Sequence, residues 1–441
     1  MKAPILAVVM CAVPGLCEAG SFAINENSAN DLGRANAGRV VSSEDALAAF
    51  GNPAMMTAQD QTLVTSTLSL IIGDARFADA GSTNVLGAPL RGVDSADAFP
   101  DAFVPALQGI VPLTDRIALG LSVNAPFGLS SDYKTPDVIT RYQAVNSELF
   151  TLNINPSAAV ELNEHVSVGL GVSLQYADVR LTNRIDFGSI ALAALPAAQR
   201  DPSLPGSDDG GVNLTGEDWS WGWNAGVALH PTERLTLGLH YRSEVDHELS
   251  GRAQFFPGPT FGDRLGASGA FTDTPARARL DLPSTLETGL RYRATDAVTV
   301  YADWTRQDWS DFRELRVQFA NPAQPDTVEE LDYRKADRFA VGADVRVSPD
   351  WVLRAGFAHD GTPSDPKRPS ARIPDNDRTF YALGATFAGL DALGGLQIDA
   401  ALTRIAVDDT AFARTDTTGN RLRGTVTSDV TIVSVGVTKR F

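Results

Sequence analysis

Cysteine and positive charge are both scarce in this chain of 441 residues: two cysteines, and 37 Lys and Arg against 54 Asp and Glu, for a net charge of −17. Both cysteines, Cys11 and Cys17, fall within residues 1–19, which read as a secretory signal. Lys2 opens it, residues 5–13 are apolar, Pro14 and Gly15 break the run, and Cys17, Glu18 and Ala19 form a small-residue cleavage site. A mature chain starting at Gly20 has no cysteine and forms no disulfide, although the periplasm would permit one. Met10 and Leu16 precede the cysteines where a lipoprotein signal has a small residue, so a lipid anchor is not expected. The acidic balance survives cleavage, because the leader removes one Lys and one Glu, and it disfavours a nucleic-acid partner. The five histidines, His165, His230, His240, His247 and His359, lack zinc-ligand spacing, so no metal site is expected. No Ser, His and acid are grouped in a way that suggests a hydrolase, so neither catalytic residues nor a cofactor are expected. Beyond the leader there is no run of 18 apolar residues, which excludes ordinary transmembrane helices.

Alternation is what the chain has instead. Leu235, Leu237, Leu239, Tyr241, Val245 and Leu249 occupy odd positions, while Thr236, Gly238, His240, Arg242, Glu244, Asp246 and Glu248 occupy even ones, so residues 234–249 read as one strand with an oily and an ionic face. Val166 to Tyr176 and Phe339 to Val347 repeat the pattern, and the chain closes on Val433, Val435, Val437 and Phe441. A soluble β-sandwich would also alternate, but it seldom needs so many strands of about ten residues. In lipid only a closed sheet satisfies every backbone group. Residues 61–441 therefore read as an all-β, antiparallel transmembrane β-barrel of about 14 strands, with short periplasmic turns such as Thr114-Asp115 and long external loops such as residues 184–216 and 250–279. Residues 20–60 do not alternate. Ser42 and Asp45 suggest a capping box before a short helix through Phe50, ended by Gly51 and the pre-proline Asn52. A small-residue segment at the barrel mouth reads as an N-terminal hatch, a plug inside the lumen; the alternative is a disordered extension.

Several stretches now become specific. Phe22-Ala23-Ile24-Asn25-Glu26, Leu32-Gly33-Arg34-Ala35 and Asn52-Pro53-Ala54 resemble the amino-terminal hatch of the FadL family of outer-membrane long-chain fatty acid and hydrophobic compound transporters. Ala125-Pro126-Phe127-Gly128-Leu129, Trp221-Gly222-Trp223-Asn224-Ala225-Gly226, Tyr241-Arg242-Ser243-Glu244-Val245, Trp309-Ser310-Asp311-Phe312 and Ile373-Pro374-Asp375-Asn376-Asp377-Arg378 agree in order. The resemblance implies a fourteen-stranded barrel that takes long-chain fatty acids from outside by ligand-gated passive diffusion and releases them sideways into the outer membrane of a Gram-negative bacterium. Its members that import aromatic or other neutral hydrocarbons supply the alternative. Partners would be the hydrophobic ligand and the outer-membrane lipid, and a monomer is expected.

Site residues follow from residues and resemblance together. Pro126 falls where a strand at residues 116–129 needs a donor, and proline belongs at edges and bulges. The resemblance makes Asn124, Ala125, Pro126, Phe127 and Gly128 the lateral opening, with Gly226 nearby; the alternative is that Pro126 simply ends the strand. Ile190, Leu192, Leu195, Phe255, Phe256 and Phe261 are apolar in external loops and suggest a capture groove. Arg316 and Arg184 stand where the resemblance places the cations that meet a ligand carboxylate; the alternative is that they pair with acids such as Asp303 or Glu314. Phe22 at the start of the hatch would line the same cavity, and Asn52, Pro53 and Ala54 belong to the hatch. The acidic residues 208–218 carry a weaker suggestion of calcium, against a solvated loop.

Overall fold

A computed structural model describes residues 21–441 apart from 96, 197, 199 and 391–394, so the expected leader lies outside the described residues. One antiparallel sheet closes on itself. Joined across local breaks, its pieces make 14 wall strands. The first seven are β1 (Leu63–Asp79), β2 (Ala102–Thr114), β3 (Ile117–Asn124 and Gly128–Asp132), β4 (Asn146–Asn163), β5 (Val166–Asp186), β6 (Asp209–Thr232) and β7 (Leu235–Arg242 and Val245–Phe256). The rest are β8 (Thr274–Leu282 and Ser284–Arg293), β9 (Val298–Asp308 and Glu314–Phe319), β10 (Thr327–Glu330 and Lys335–Arg346), β11 (Trp351–Asp360), β12 (Arg378–Leu390), β13 (Leu396–Val407 and Thr410–Thr415) and β14 (Arg421–Arg440). Closure runs from Leu63 opposite Arg440 to Asp79 opposite Gly424. β1 and β5 run further than the alternation suggests, and the acidic stretch 208–218 is mostly the start of β6 rather than a loop.

The wall is turned inside out relative to a soluble sheet. On β1, Val64, Leu68 and Ile72 are exposed to the lipid side, whereas Thr65, Thr67 and Ser69 are buried inside. Thr65 and Thr438, and Ser69 and Ser434, join hydroxyls across the β1–β14 seam at 2.9 and 2.8 Å. Hydroxyls and amides inside, aliphatics outside, is the arrangement a bilayer selects.

That rule holds only for the half of the barrel nearer the short turns. In the lower part of β7 the inward positions are even, Thr236 and His240, and Leu239 faces out; in the upper part Val245, His247 and Leu249 face in, and Asp246 and Glu248 face out. The sequence reads this as one face throughout, and the break at Ser243 and Glu244 corrects it. Pairing with β6 shifts there by one residue, from Asn224 opposite Arg242 to Glu217 opposite Ser250. One extra residue moves every later side chain to the other face. β8 turns over beside it at Pro283, from Glu287 inward to Leu280 and Leu282 inward.

Residues 21–58 fill the lower lumen and are almost wholly buried. They hold α1 (Ala29–Leu32), α2 (Ala48–Gly51) and a 3-10 turn at Pro53–Ala58. Ser28 caps α1 by accepting from Asp31 N–H at 3.3 Å. The expected capping box does not form: Asp45 accepts from Leu47 N–H and the Ser28 hydroxyl, and the Ser42 hydroxyl donates to Glu44 and accepts from Arg34. Asn52 accepts from Ala54 N–H and donates to Val40 O at 2.8 Å and Val227 O at 3.2 Å, tying the 3-10 turn to β6.

Space for the hatch comes from inward glycines. A Cβ at Gly226 would overlap Asn52 Oδ1, one at its cross-strand neighbour Gly169 would come within 2.6 Å of Ala54 N, and one at Gly356 would overlap the Arg34 backbone. Charge fixes the seat. Fully buried Arg34 meets Asp344 at 2.9 Å and Glu44 at 3.7 Å, and stacks 4.2 Å from the Tyr301 ring. Wall arginines answer with bonds to hatch carbonyls: Arg242 to Phe50 O at 2.8 Å, Arg378 to Ser21 O at 3.0 Å and Arg440 to Glu44 O at 2.8 Å.

Candidate functional site

Strand β3 breaks at residues 125–127, where Pro126 has no N–H to give. On the β4 side the ladder survives with a one-residue slip, from Asn124 opposite Asn153 to Gly128 opposite Phe150. On the β2 side it does not. β2 pairs with β3 only from Leu107 opposite Val123 downward, which leaves Ala102 to Ala106 without a partner on that side. Pro105 stands in that unpaired stretch, where a missing donor costs least. Above, Asp132 N–H donates to Ala98 O at 2.8 Å. The result is a window in the wall's hydrogen bonding, bounded by Leu107 and Val123 below and by Ala98 and Asp132 above.

The hatch's leading residues fill that window. Ile24 N–H donates to Pro126 O at 2.8 Å and Gly128 N–H to Phe22 O at 2.9 Å, so Ala23 pairs with Phe127 as a strand would. Asn27 accepts from Asn124 Nδ2 at 2.7 Å. The hatch thus supplies the bonds that β2 withholds.

Phe22 divides the lumen at this level. Its ring centroid lies 4.7 Å from Trp309, 5.7 Å from Phe312 and 6.2 Å from Phe127, all near edge-to-face. Tyr333 joins at 5.2 Å from Phe312, and its hydroxyl accepts from Ser21 at 3.1 Å. Below the cluster is a polar cavity of about 50 Å³ lined by Pro126, Phe127, Arg39, Arg242, Glu287 and Arg338. Above it is an apolar one of about 30 Å³ lined by Leu181, Leu214, Leu249, Ala276, Leu315 and Val317. Both are far smaller than the ~300–1,000 Å³ of an occupied ligand pocket, so a hydrophobic ligand must part these side chains to enter.

The predicted residues divide accordingly. Phe22, Phe127 and Phe255 face the lumen, and Asn52, Pro53 and Ala54 are buried in the hatch. Asn124 to Gly128 form the broken segment. Gly226 is placed differently from the expectation: it lies three strands away, on β6, and its closeness to Asn52 makes it part of the hatch seat.

The arginines are also placed elsewhere. Leu315 and Val317 face the apolar cavity, so Arg316 between them faces out, half exposed, with Glu314 at 2.6 Å and Asp326 at 3.3 Å. That is the pairing with Glu314 that the sequence left open. Arg184 shares the parity of exposed Arg180, opposite to inward Leu181. Neither arginine lines the apolar cavity.

In the external loops, α3 (Phe187–Ala194) buries Leu192 and half-buries Ile190, with Leu195 just beyond its end. Phe187 packs on Phe271 at 4.9 Å, and Phe271 on Phe255 at 5.9 Å. Phe261 donates its N–H to Asp208, whereas Phe256 is 57% exposed on the outer face and faces away from the groove. The Asp208 carboxylate is occupied by N–H groups of Thr260, Phe261 and Gly262, which leaves the calcium suggestion no support there.

Sequence reasoning missed the glycine seat and the turnover of β7. The seat had a faint signal in glycines at inward positions of neighbouring strands; the turnover had none in the alternation itself.

A family model described as outer membrane protein transport protein (OMPP1/FadL/TodX) matches residues 10–441. Outer membrane protein P1 of Haemophilus influenzae is 31% identical over 405 residues, covering 87% of this chain and 86% of its own. The long-chain fatty acid transport protein of Escherichia coli O6:H1 is 27% identical over 396 residues, at 87% and 86% coverage. Among solved structures, a Pseudomonas aeruginosa FadL homologue superposes with a TM-score of 0.88 at 27% identity, covering 96% of this chain and 100% of that one. The Pseudomonas putida toluene transporter TodX shares the fold, with a TM-score of 0.69 at 18% identity over 94% of this chain and 99% of that one.

Proposed function

We propose, from the premise that the chain belongs to the outer membrane protein transport family of OMPP1, FadL and TodX, that it takes up long-chain fatty acids and releases them sideways through the β3 window. The coarser statement stands by itself: this is an outer-membrane transporter of hydrophobic compounds, in the membrane where its Gram-negative relatives reside. An enzyme class has no support in the family.

The observation that carries the proposal is the replacement of a β2 partner by Ala23 at Phe127. Ligand entering the upper lumen displaces Phe22, the hatch's leading strand leaves the window, and the ligand slips from the lumen into the bilayer without crossing water. Each buried methylene is worth about 0.8 kcal/mol, so a long acyl chain would forfeit about 10 kcal/mol in an aqueous exit. That is the physical reason for a sideways path.

Uptake of aromatic or other neutral hydrocarbons by the same route is the second reading, favoured by a largely apolar upper cavity lined by neither Arg316 nor Arg184. The test is to delete Ala125, which removes the extra residue of β3 and lets its ladder to β2 continue. Uptake of oleate into cells should fall at least tenfold while the barrel keeps its heat-shifted electrophoretic mobility. Undiminished uptake by an assembled barrel would end the sideways reading. Comparing toluene with oleate in the unaltered protein separates the two substrate classes.

A further inference from the structure

The upper lumen is mostly apolar. His247 projects inward from β7 between Val245 and Leu249, with its side chain fully buried. Its cross-strand neighbour on β8 is Leu280, and Val245, Leu249, Leu280 and Ala177 belong to the same buried apolar cluster as Phe22 and Trp309. Two residues above, Leu249 lines the upper cavity.

One ring nitrogen is accounted for. Nδ1 lies 3.1 Å from Asp218 Oδ2 on β6, and the same oxygen accepts Glu248 N–H at 3.2 Å. With Nδ1–H donated to Asp218, the neutral ring presents a lone pair at Nε2. Nε2 is buried and has no hydrogen-bond partner among the described residues. His240 lower in the barrel has the same unmet Nε2, but it stands among the polar groups of the hatch seat, whereas His247 Nε2 is set in an apolar cluster, where an unmet polar atom is costly and a ligand group would satisfy it. The other charged groups near it, Asp246 and Glu248, flank it on its own strand and point out of the barrel; β8 opposite offers only Leu280 and Leu282 inward.

We propose that His247, oriented by Asp218, is the headgroup site of the upper lumen and takes the acid group of an amphiphilic ligand. This rests on the reading that the ligand is a fatty acid, and it names the group that reads its carboxyl. A single proton lies between a ligand oxygen and Nε2. The carboxyl then enters the apolar lumen without a bare charge. Alkyl chain and headgroup are then recognised separately, the chain by Leu181, Leu214, Leu315 and Val317 and the headgroup by one imidazole.

The experiment measures equilibrium binding of oleate and methyl oleate to the full chain in lipid nanodiscs. In the unaltered protein oleate should bind more tightly than its ester. His247→Leu, close in size and apolar, should weaken oleate about tenfold and leave the ester unchanged. His247→Gln, which keeps an acceptor, should recover most of the oleate affinity. Equal effects on both ligands, or none, in an assembled variant would overturn the His247 assignment while leaving fatty acid uptake standing. Failure of the unaltered protein to bind either ligand would sink the uptake reading and this site with it. Nitrogen-15 NMR of histidine-labelled protein gives a readout independent of any variant: the His247 Nε2 signal should move with oleate and stay with methyl oleate, and a signal indifferent to both refutes the site.

Discussion

Below Phe22 the inward positions of β7 are Gly238 and His240; above it they are Val245 and Leu249. The lower lumen is crowded by the hatch and held by ion pairs such as Arg34 with Asp344, whereas the upper is lined by aliphatic side chains around a collapsed cavity. The same alternating strands make both. What differs is a single inserted residue, which changes whether an oily face meets lipid or ligand. A polar lower half suits a plug that must be specific in position, because buried hydrogen bonds and ion pairs fail when misaligned. An apolar upper half suits the hydrocarbon part of a ligand, because burial of hydrocarbon is non-directional.

The difference can be broken most severely at the hatch seat. Gly356→Leu drives a side chain into the Arg34 backbone, which cannot yield, so the hatch should be expelled while the barrel persists. Planar-bilayer recordings should show a large open conductance absent from the unaltered protein. A silent channel with a protease-resistant hatch would mean that the seat tolerates far more than its geometry suggests. Removing the charge is the next largest step. Arg34→Ala leaves Asp344, Asp31 and Glu44 without their shared cation. Breaking a buried pair costs about 3–5 kcal/mol. Hydrogen exchange of hatch amides should accelerate by the corresponding two to four decades at most, with wall amides unaffected; equal acceleration in the wall would show that the two halves are not separable.

The boundary itself is weaker. Phe22→Ala removes the ring that joins Trp309, Phe312 and Phe127, at a cost of about 3 kcal/mol for an aromatic truncation. Small hydrophobic dyes should then reach the lower cavity, and fluorescence of Trp309 should become quenchable by them. Unchanged quenching would place the barrier elsewhere.

Much of this architecture was readable before any coordinates. The inward hydroxyls Thr65, Thr67 and Ser69 of β1 alternate with outward Val64, Leu68 and Ile72, and in a chain expected to have neither disulfides nor helical spans that pattern leaves only a closed membrane sheet. Pro126 announced a break, because a proline cannot donate. The arginines were misjudged for an instructive reason. The resemblance places Arg316 in a binding region, but its neighbours Leu315 and Val317 show that its face is opposite to the apolar one. Residues 234–249 show the complementary failure: alternation reports which residues are oily, never which side of the wall they face, and a bulge at Ser243 and Glu244 reverses the sides without disturbing the pattern.

The smallest expected effect concerns acidity and belongs to the hatch alone. Burial pushes Asp45 up from 3.8 to about 6, with the Ser28 hydroxyl opposing. Burial also disfavours ionised Glu44, but Arg34 and Arg291 overcome it and hold that carboxyl down from 4.5 to about 2. The two act in opposite senses over different ranges. As pH falls from 6 towards 4, a seated hatch takes a proton on Asp45 that a released one does not, so seating tightens by up to about 3 kcal/mol at 1.36 kcal/mol per pH unit. Below 4.5 the released hatch begins to protonate Glu44 while the seated one does not, and seating weakens again towards pH 2. Protection of hatch amides should therefore peak between pH 4 and 5. Asp45→Asn should flatten the rise between pH 4 and 6 and keep the fall below it. If the rise survives in that variant, another buried acid of the lower lumen controls it, and the hatch's grip on the window is set from the wall rather than from its own chain.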